Sequence, residues 1–348
     1  MWQDCAGLNF HNPRVRQEAL SLARWWLERG VDGFRLDTVN FYFHDTELRD
    51  NPLATVQDDQ IVAGGNPYGS QDHLYDKNRP EMLPFLDSFG AVLAEYSGSM
   101  ALGEVGAADG RAIPLMQEYQ AAGRLSLCYT FDLLSDRFSA AHFRHLIVRD
   151  QEQGPDVWRC LAFSNHDIRR SASRFGGERA TPEQIAPLTM ALLLSLKGTP
   201  CIYQGEELGL PEADIPFEQI VDPYGKTFWP SYKGRDGCRT PMPWASNEPH
   251  GGFTVAGAEP WLPVVQPHLH RAMDGQQANA ESVLAWTQKL LTARQGQPGL
   301  VSSSLTLCDA PEEALVFRRG QGESSVLGMF NLGTTVTVVT LPEDKQES

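Results

Sequence analysis

The apolar positions of this chain recur in two rhythms that alternate along most of its length. Over residues 12–29 the members Val15, Ala19, Leu22, Ala23, Trp26 and Leu27 return at helical spacing, which predicts a helix burying one face. Asn12 is a plausible N-cap, Pro13 suits the first turn and Gly30 follows as the stop. The chain then runs into a short strand with Val31, Phe34 and Leu36 as its apolar members, ending in Asp37. Helical periodicity resumes at 81–97, followed by a strand at 100–105 that carries Glu104 near its end. Further helices are predicted around 113–121, 140–152, 183–196 and 281–294, with strands at 127–134, 157–164 and 199–204 between them. Helix-to-strand units joined by tight turns build parallel sheets.

Two stretches break the rhythm. Residues 41–80 are polar and rich in turns, among them Gly64-Gly65-Asn66-Pro67, and residues 209–262 form a long Pro-, Gly- and Trp-rich insertion with no predicted elements of its own. Loops this long in a compact domain are usually functional. From Leu305 the pattern turns to short β segments at 305–308, 314–318, 326–331 and 334–341, separated by Gly-containing turns. The expected fold is therefore α/β: five strands of a (β/α)8 TIM barrel followed by a small, incomplete antiparallel β domain. A barrel at residues 1–298, with the 209–262 loop inside it, and a β domain at 299–348 are the expected boundaries. Closure needs eight strands, so five predict about three strand-helix units before Met1. Exposed strand edges and an unfilled core would then leave this chain by itself weakly active or inactive.

Three carboxylates, Asp37, Glu104 and Asp167, fall at or near the C-terminal ends of three predicted strands. In a barrel of parallel strands that rim carries the chemistry. Arg35 stands two residues before Asp37, so both side chains leave the same face of the strand and can meet. Taken singly, each acid reads equally well as a solvated strand end or a helix cap, and Arg35-x-Asp37 as a surface ion pair. Three at one rim fit glycoside cleavage, in which one carboxylate attacks carbon and a second, protonated, donates to the leaving oxygen. Arg35 would hold Asp37 anionic. His166, between Asn165 and Asp167, is read as a donor to a sugar hydroxyl rather than a structural histidine. Phe131, on the third strand, is counted with the substrate-binding residues. Arg235 and Arg239 read either as site residues or as solvated charges of the loop.

The charge balance, 29 basic against 44 acidic residues for a net of −15, argues against nucleic acid or an anionic membrane and suits a small neutral substrate. Six cysteines, Cys5, Cys128, Cys160, Cys201, Cys238 and Cys308, are scattered without C-x-x-C pairs, so neither a disulfide framework nor a metal site is expected. No signal peptide is recognised at Met1 and no apolar run is long enough for a bilayer, which makes a reducing cytoplasm the default; a lost N-terminus could have carried a signal.

Gly33-Phe-Arg-Leu-Asp37, Gly103-Glu104-Val and Phe163-Ser-Asn-His-Asp167 resemble three ordered signature segments of the alpha-amylase family, glycoside hydrolase family 13. The opening Asp4-x-x-Gly-Leu-Asn-Phe-His-Asn-Pro is similar to the family's Gln-Pro-Asp-Leu-Asn segment, from which Cys5-Ala6-Gly7 departs. Arg235-Asp236 before Arg-Thr-Pro-Met-Pro-Trp244 resembles the late loop of the oligo-1,6-glucosidase and alpha-glucosidase branch. The resemblance implies that Asp37 is the nucleophile, Glu104 the general acid/base and Asp167 a third acid holding sugar hydroxyls. It also implies that Arg35, His166, Arg235 and Asp236 line the nonreducing-end glucose site. The family retains anomeric configuration, so the first two acids should lie roughly 5 to 5.5 Å apart. In this branch the residue after the nucleophile tends to be Val in alpha-1,6-acting members and Ala or Thr in alpha-1,4-acting ones; here it is Thr38.

The resemblance thus implies a retaining, exo-acting alpha-glucosidase (EC 3.2.1.-) of carbohydrate metabolism that cleaves short alpha-1,4-linked glucosides and transfers glucose to small acceptors. The alternatives are an oligo-1,6-glucosidase, a sucrose-acting relative, and, from another class, a noncatalytic barrel used for binding or assembly. The family's early Asp-x-x-x-Asn-His segment and its calcium-type loop are not found in these 348 residues, so no cofactor is expected here and calcium is left to a complete enzyme.

Overall fold

The computed structural model describes residues 7–54, 67–106, 111–129, 131–154, 157–177, 180–302 and 304–341. Asp4, Cys5, the Gly64-Gly65-Asn66 turn and the charged end of the chain lie outside them. The chain divides into two compact units, Met1–Asp132 with Arg149–Cys160, and Leu133–Val148 with Leu161–Ser348. Among the described residues, Cys128, Cys160, Cys201, Cys238 and Cys308 are free thiols.

In the first unit, three helix-strand pairs follow one another: α1 (Pro13–Leu27) and β1 (Gly33–Leu36), α2 (Met82–Ala94) and β2 (Met100–Glu104), α3 (Ala112–Gln120) and β3 (Leu127–Tyr129). Asn12 caps α1 by accepting the Arg14 N–H at 3.0 Å, and Pro13 follows in the first turn. The strands pair in parallel in the order β1-β2-β3. Phe85, Leu86, Phe89, Ile113 and Met116 pack under the sheet with Leu36, Ala101 and Cys128. Gly33 is a steric requirement of the β1-β2 pairing, because a Cβ there would lie 2.1 Å from the Met100 carbonyl oxygen. The register sets Glu104 directly beside Tyr129 at the C-terminal ends of their strands.

One expectation is corrected on α1. Leu22 and Trp26 are exposed, while Ala23 and Leu27 are buried and Val15, Ala19 and Leu20 pack partly against the core. The buried stripe is narrower than the hydrophobic periodicity, which does not distinguish a residue on the core face from one at its margin.

The second unit begins α4 (Ala140–Gln153) and takes up the chain again at Leu161 of β4 (Cys160–Leu161). There follow α5 (Ser171–Gly176), α6 (Pro182–Ser195), β5 (Thr199–Pro200), α7 (Pro223–Phe228), α8 (Gln266–Leu269), α9 (Met273–Gln277), α10 (Val283–Gly296) and α11 (Pro298–Val301). The Leu161 carbonyl accepts the Cys201 N–H at 2.7 Å where β4 and β5 pair. Both strands are much shorter than the apolar runs that predicted them. The 209–262 insertion, expected to be irregular, holds α7 and several 3-10 turns.

The chain closes with an antiparallel sheet of β6 (Leu305–Leu307), β7 (Ala314–Arg319) and β8 (Val326–Asn331), in that order. Residues 334–341, expected as a fourth strand, form none; Val336 and Val338 point to solvent at 97% and 83% exposure, so their alternation finds no layer to cover it. Leu315, Phe317 and Phe330 share a core with Phe143, Phe163, Leu192 and Leu193. Arg319, fully buried, donates to the carbonyls of Ser195 (2.6 Å), Ser302 (2.5 Å), Ser304 (2.8 Å) and Leu300 (3.0 Å). A cation at the carbonyl end of α6 is favourably placed against the helix dipole.

Candidate active site

The end of β1 delivers Arg35 and Asp37, and the chain then turns sharply. Thr38 takes a left-handed backbone conformation (φ 41°) that β-branched residues rarely adopt. The turn aims the Thr38 N–H at Glu104 Oε2, which it reaches at 3.0 Å. Arg35 joins the two acids: Nη1 hydrogen-bonds Asp37 Oδ1, and Nη2 lies 2.7 Å from Glu104 Oε2. Tyr129, beside Glu104 in the sheet, donates its hydroxyl to Glu104 Oε1 at 2.6 Å and accepts from Arg35 Nη2 at 2.9 Å.

The two carboxyls sit in unlike surroundings, the side chain of Glu104 being 3% exposed and that of Asp37 67%. Only Asp37 is open to attack a carbon, while Glu104 is held by three donors. Burial opposes the charge of Arg35, but its hydrogen bond with Tyr129 and the nearby acids raise its pKa above the ordinary arginine value. Burial, with the neighbouring Asp37 charge, pushes Tyr42 up to about 12, so it stays a neutral phenol. Phe131 stands edge-on to Tyr129 of this cluster, with ring centroids 6.4 Å apart.

The second unit presents its own cluster. Asp167 accepts from Arg239 Nη2 at 2.8 Å and from Arg235 Nη1 at 3.0 Å, and His166 Nε2 lies 3.3 Å from its other oxygen. Arg239 also donates through Nε to the His166 carbonyl at 2.6 Å. Arg235 is in turn held by Asp222, at 3.0 Å through Nε and 3.1 Å through Nη2. The buried Arg170 braces the same turn from behind, reaching the Gln204 carbonyl at 2.6 Å and the Cys238 carbonyl at 3.0 Å.

The structure therefore groups Arg35, Asp37, Thr38 and Glu104, with Phe131 near them, in one unit, and His166, Asp167 and Arg235 in the other. Asp236, expected to line the sugar site, is buried and accepts the backbone N–H groups of Val221 (2.6 Å) and Asp222 (2.9 Å), a bracing position inside its loop. Three residues escaped assignment from sequence. By sequence Tyr129 is one apolar-run residue of the third strand, Asp222 lies 13 residues from its arginine with no motif between, and Arg239 reads as readily as a solvated loop charge as it does as a site residue. Among the described residues, no group of three or more His, Cys, Asp or Glu side chains is arranged to hold a metal ion.

Comparison with known proteins places these residues in a family. The alpha-amylase catalytic-domain model matches residues 2–303. A probable alpha-glucosidase of Rhizobium meliloti is 43% identical over 98% of this chain and 62% of its own length. An oligo-1,6-glucosidase of Halalkalibacterium halodurans is 29% identical over 97% of this chain and 63% of its own length. Among solved structures, the alpha-glucosyl transfer enzyme XgtA superposes with a TM-score of 0.87 at 46% identity, covering 93% of this chain and 60% of that one. The chain thus spans less than two thirds of the length of the relatives it matches. With the family model matched over residues 2–303, the chain belongs to the alpha-amylase family of glycoside hydrolases, whose catalytic domain is a (β/α)8 barrel.

Proposed function

We propose that the chain carries the catalytic acids of a retaining, exo-acting alpha-glucosidase that releases glucose from short alpha-1,4-linked glucosides and transfers it to small acceptors. The observation that carries this reading is the placement of an open Asp37 and a buried Glu104 on the two terminal nitrogens of one guanidinium, Arg35.

In the first step, Asp37 attacks the anomeric carbon and the proton of Glu104 passes to the departing glycosidic oxygen. Arg35 stays cationic and keeps Asp37 oriented. In the second step, Glu104, now a carboxylate, takes the proton of a water molecule as its oxygen displaces Asp37; a sugar or alcohol in place of water gives transglucosylation. Asp167, fixed by Arg235 and Arg239, would accept from glucose hydroxyls, and His166 would donate to one.

The named relatives support both halves of the reading: the Rhizobium meliloti protein is a probable alpha-glucosidase and XgtA is an alpha-glucosyl transfer enzyme. The oligo-1,6-glucosidase at 29% identity favours alpha-1,6 cleavage as the second reading, against which stands Thr38. The chain by itself is expected to turn over slowly, so relative glucose release from maltose, isomaltose and sucrose, with the product anomer followed by proton NMR, tests the proposal. Maltose preferred with alpha-glucose formed first is the expected result. Inverted product, or isomaltose preferred, would overturn it.

A further inference from the structure

The three donors on Glu104 are not equivalent, and their chemistry determines which oxygen can carry a proton. Oε2 faces Arg35 Nη2 at 2.7 Å and the Thr38 backbone N–H at 3.0 Å. Guanidinium and amide nitrogens donate and never accept, so a proton on Oε2 would point at two other protons. Oε1 faces the Tyr129 hydroxyl at 2.6 Å. A hydroxyl is both donor and acceptor and turns about its C–O bond, so Oε1 is the oxygen whose partner tolerates a proton.

We propose that Tyr129 is a positioning residue for the acid/base carboxyl: it makes Glu104 Oε1 the proton-bearing oxygen and reverses its own hydrogen bond as Glu104 loses and regains that proton. The proposal rests on the reading of Glu104 as the acid/base. With Glu104 protonated, the Tyr129 O–H turns away and the Tyr129 oxygen accepts the Oε1 proton, which leaves that bond for the glycosidic oxygen when the glycoside is cleaved. As that proton leaves with the alcohol, the O–H swings back and donates to the new carboxylate. In the second step the incoming proton of water arrives on Oε1 and the O–H turns away again. Tyr129 keeps its own proton throughout; burial and the charge of Glu104 both raise its phenol above the ordinary tyrosine value. The register that pairs Glu104 with Tyr129 across β2 and β3 makes the contact a feature of the sheet rather than of a mobile loop.

Leaving-group dependence reads this role directly, because a departing nitrophenolate needs no proton and a departing sugar does. Tyr129→Phe in the full chain should slow the first step with maltose roughly 10-fold and with 4-nitrophenyl alpha-glucoside less than about 3-fold, with KM little changed. A fluorinated tyrosine at position 129 donates more strongly and should raise the maltose-to-nitrophenyl rate ratio; it also carries the test if the phenylalanine variant misfolds. Equal losses on both substrates, or none, would overturn the proposal. Glu104→Ala given azide and the nitrophenyl glucoside separates the two levels. Formation of alpha-glucosyl azide with an unmoved Tyr129 ratio sinks the tyrosine role alone, whereas no azide adduct sinks the reading of Glu104 itself. Independently of turnover, the infrared carboxylate band that disappears in Glu104→Gln should shift in Tyr129→Phe, and an unshifted band counts against the contact.

Discussion

Asp222 holds the guanidinium of Arg235 on both of its carboxylate oxygens, at 3.0 and 3.1 Å, and takes the Arg235 backbone N–H at 2.8 Å as well. Burial would raise the Asp222 carboxyl, but its hydrogen bonds and ion pair with Arg235 bring it below the ordinary carboxylate range. The grip leaves Nη1 of Arg235 free to reach Asp167 at 3.0 Å, so a fully buried carboxylate orients Arg235 toward Asp167.

Asp222→Asn keeps the shape and removes the charge. With the Asp222 side chain at 0% and that of Arg235 at 31% exposure, the loss of stability should be about 2 kcal/mol, less than for a fully buried pair. KM for maltose should rise roughly 10-fold as Arg235 and Asp167 lose their fixed geometry. Denaturant titration and steady-state kinetics measure the two effects; lost stability at an unchanged KM would make Asp222 structural only.

The nucleophile can be identified chemically. Glu104→Gln lacks the base of the second step, so incubation with alpha-glucosyl fluoride should leave a glucosyl group on the peptide containing Asp37, detectable by mass spectrometry. Asp37→Asn should trap nothing. An adduct on any other residue assigns the attack elsewhere.

Gly33 faces backbone rather than a flexible side chain, so nothing inexpensive can move. Gly33→Ala should cost about 3 kcal/mol and weaken the β1-β2 pairing that carries Arg35 toward Glu104. Thermal unfolding followed by circular dichroism checks it; an unchanged midpoint would mean that the strands part more easily than their register implies.

His268 is fully buried, with Nε2 2.7 Å from the Pro211 carbonyl and Nδ1 3.3 Å from Thr240 Oγ1. Burial lowers its pKa from 6.5 to about 4. The unfolded chain therefore takes up a proton near pH 6.5 that the folded chain refuses until about pH 4, and stability falls as pH drops through that window. The loss reaches about 3 kcal/mol at its lower end. His268→Gln preserves a donor for Pro211 and removes the titration, so its stability should be flatter between those pH values; an unaltered slope would rule out His268 as its source.

Thr38→Val tests linkage. Its backbone N–H still reaches Glu104, so the effect should appear in the ratio of isomaltose to maltose cleavage, which should rise several-fold with total turnover reduced less than that. An unaltered ratio would remove Thr38 from specificity.

Much of the architecture was legible because it is local. Periodicity over ten or more residues located α1, α2, α4, α6 and α10 to within a few residues, and the polar residues that end the apolar runs pointed to Arg35, Asp37, Glu104 and Asp167. The same local reading overextended every barrel-type strand, since apolar runs continue past the few residues whose backbone pairs. It also made a strand of 334–341, where alternation exists but no neighbour does.

What the amino-acid order determined by itself is the inventory: where the longer helices form, which acids follow which strands, and that Thr38 follows the proposed nucleophile. Tertiary structure alone decided the partnerships. Sheet register set Tyr129 against Glu104, a left-handed turn pointed the Thr38 N–H at the same carboxyl, and loop closure delivered Asp222 to Arg235 while turning Asp236 inward. These contacts join residues 13 to 66 positions apart. No periodicity encodes such a distance; it is the packing of strands and loops that brings a donor to its acceptor.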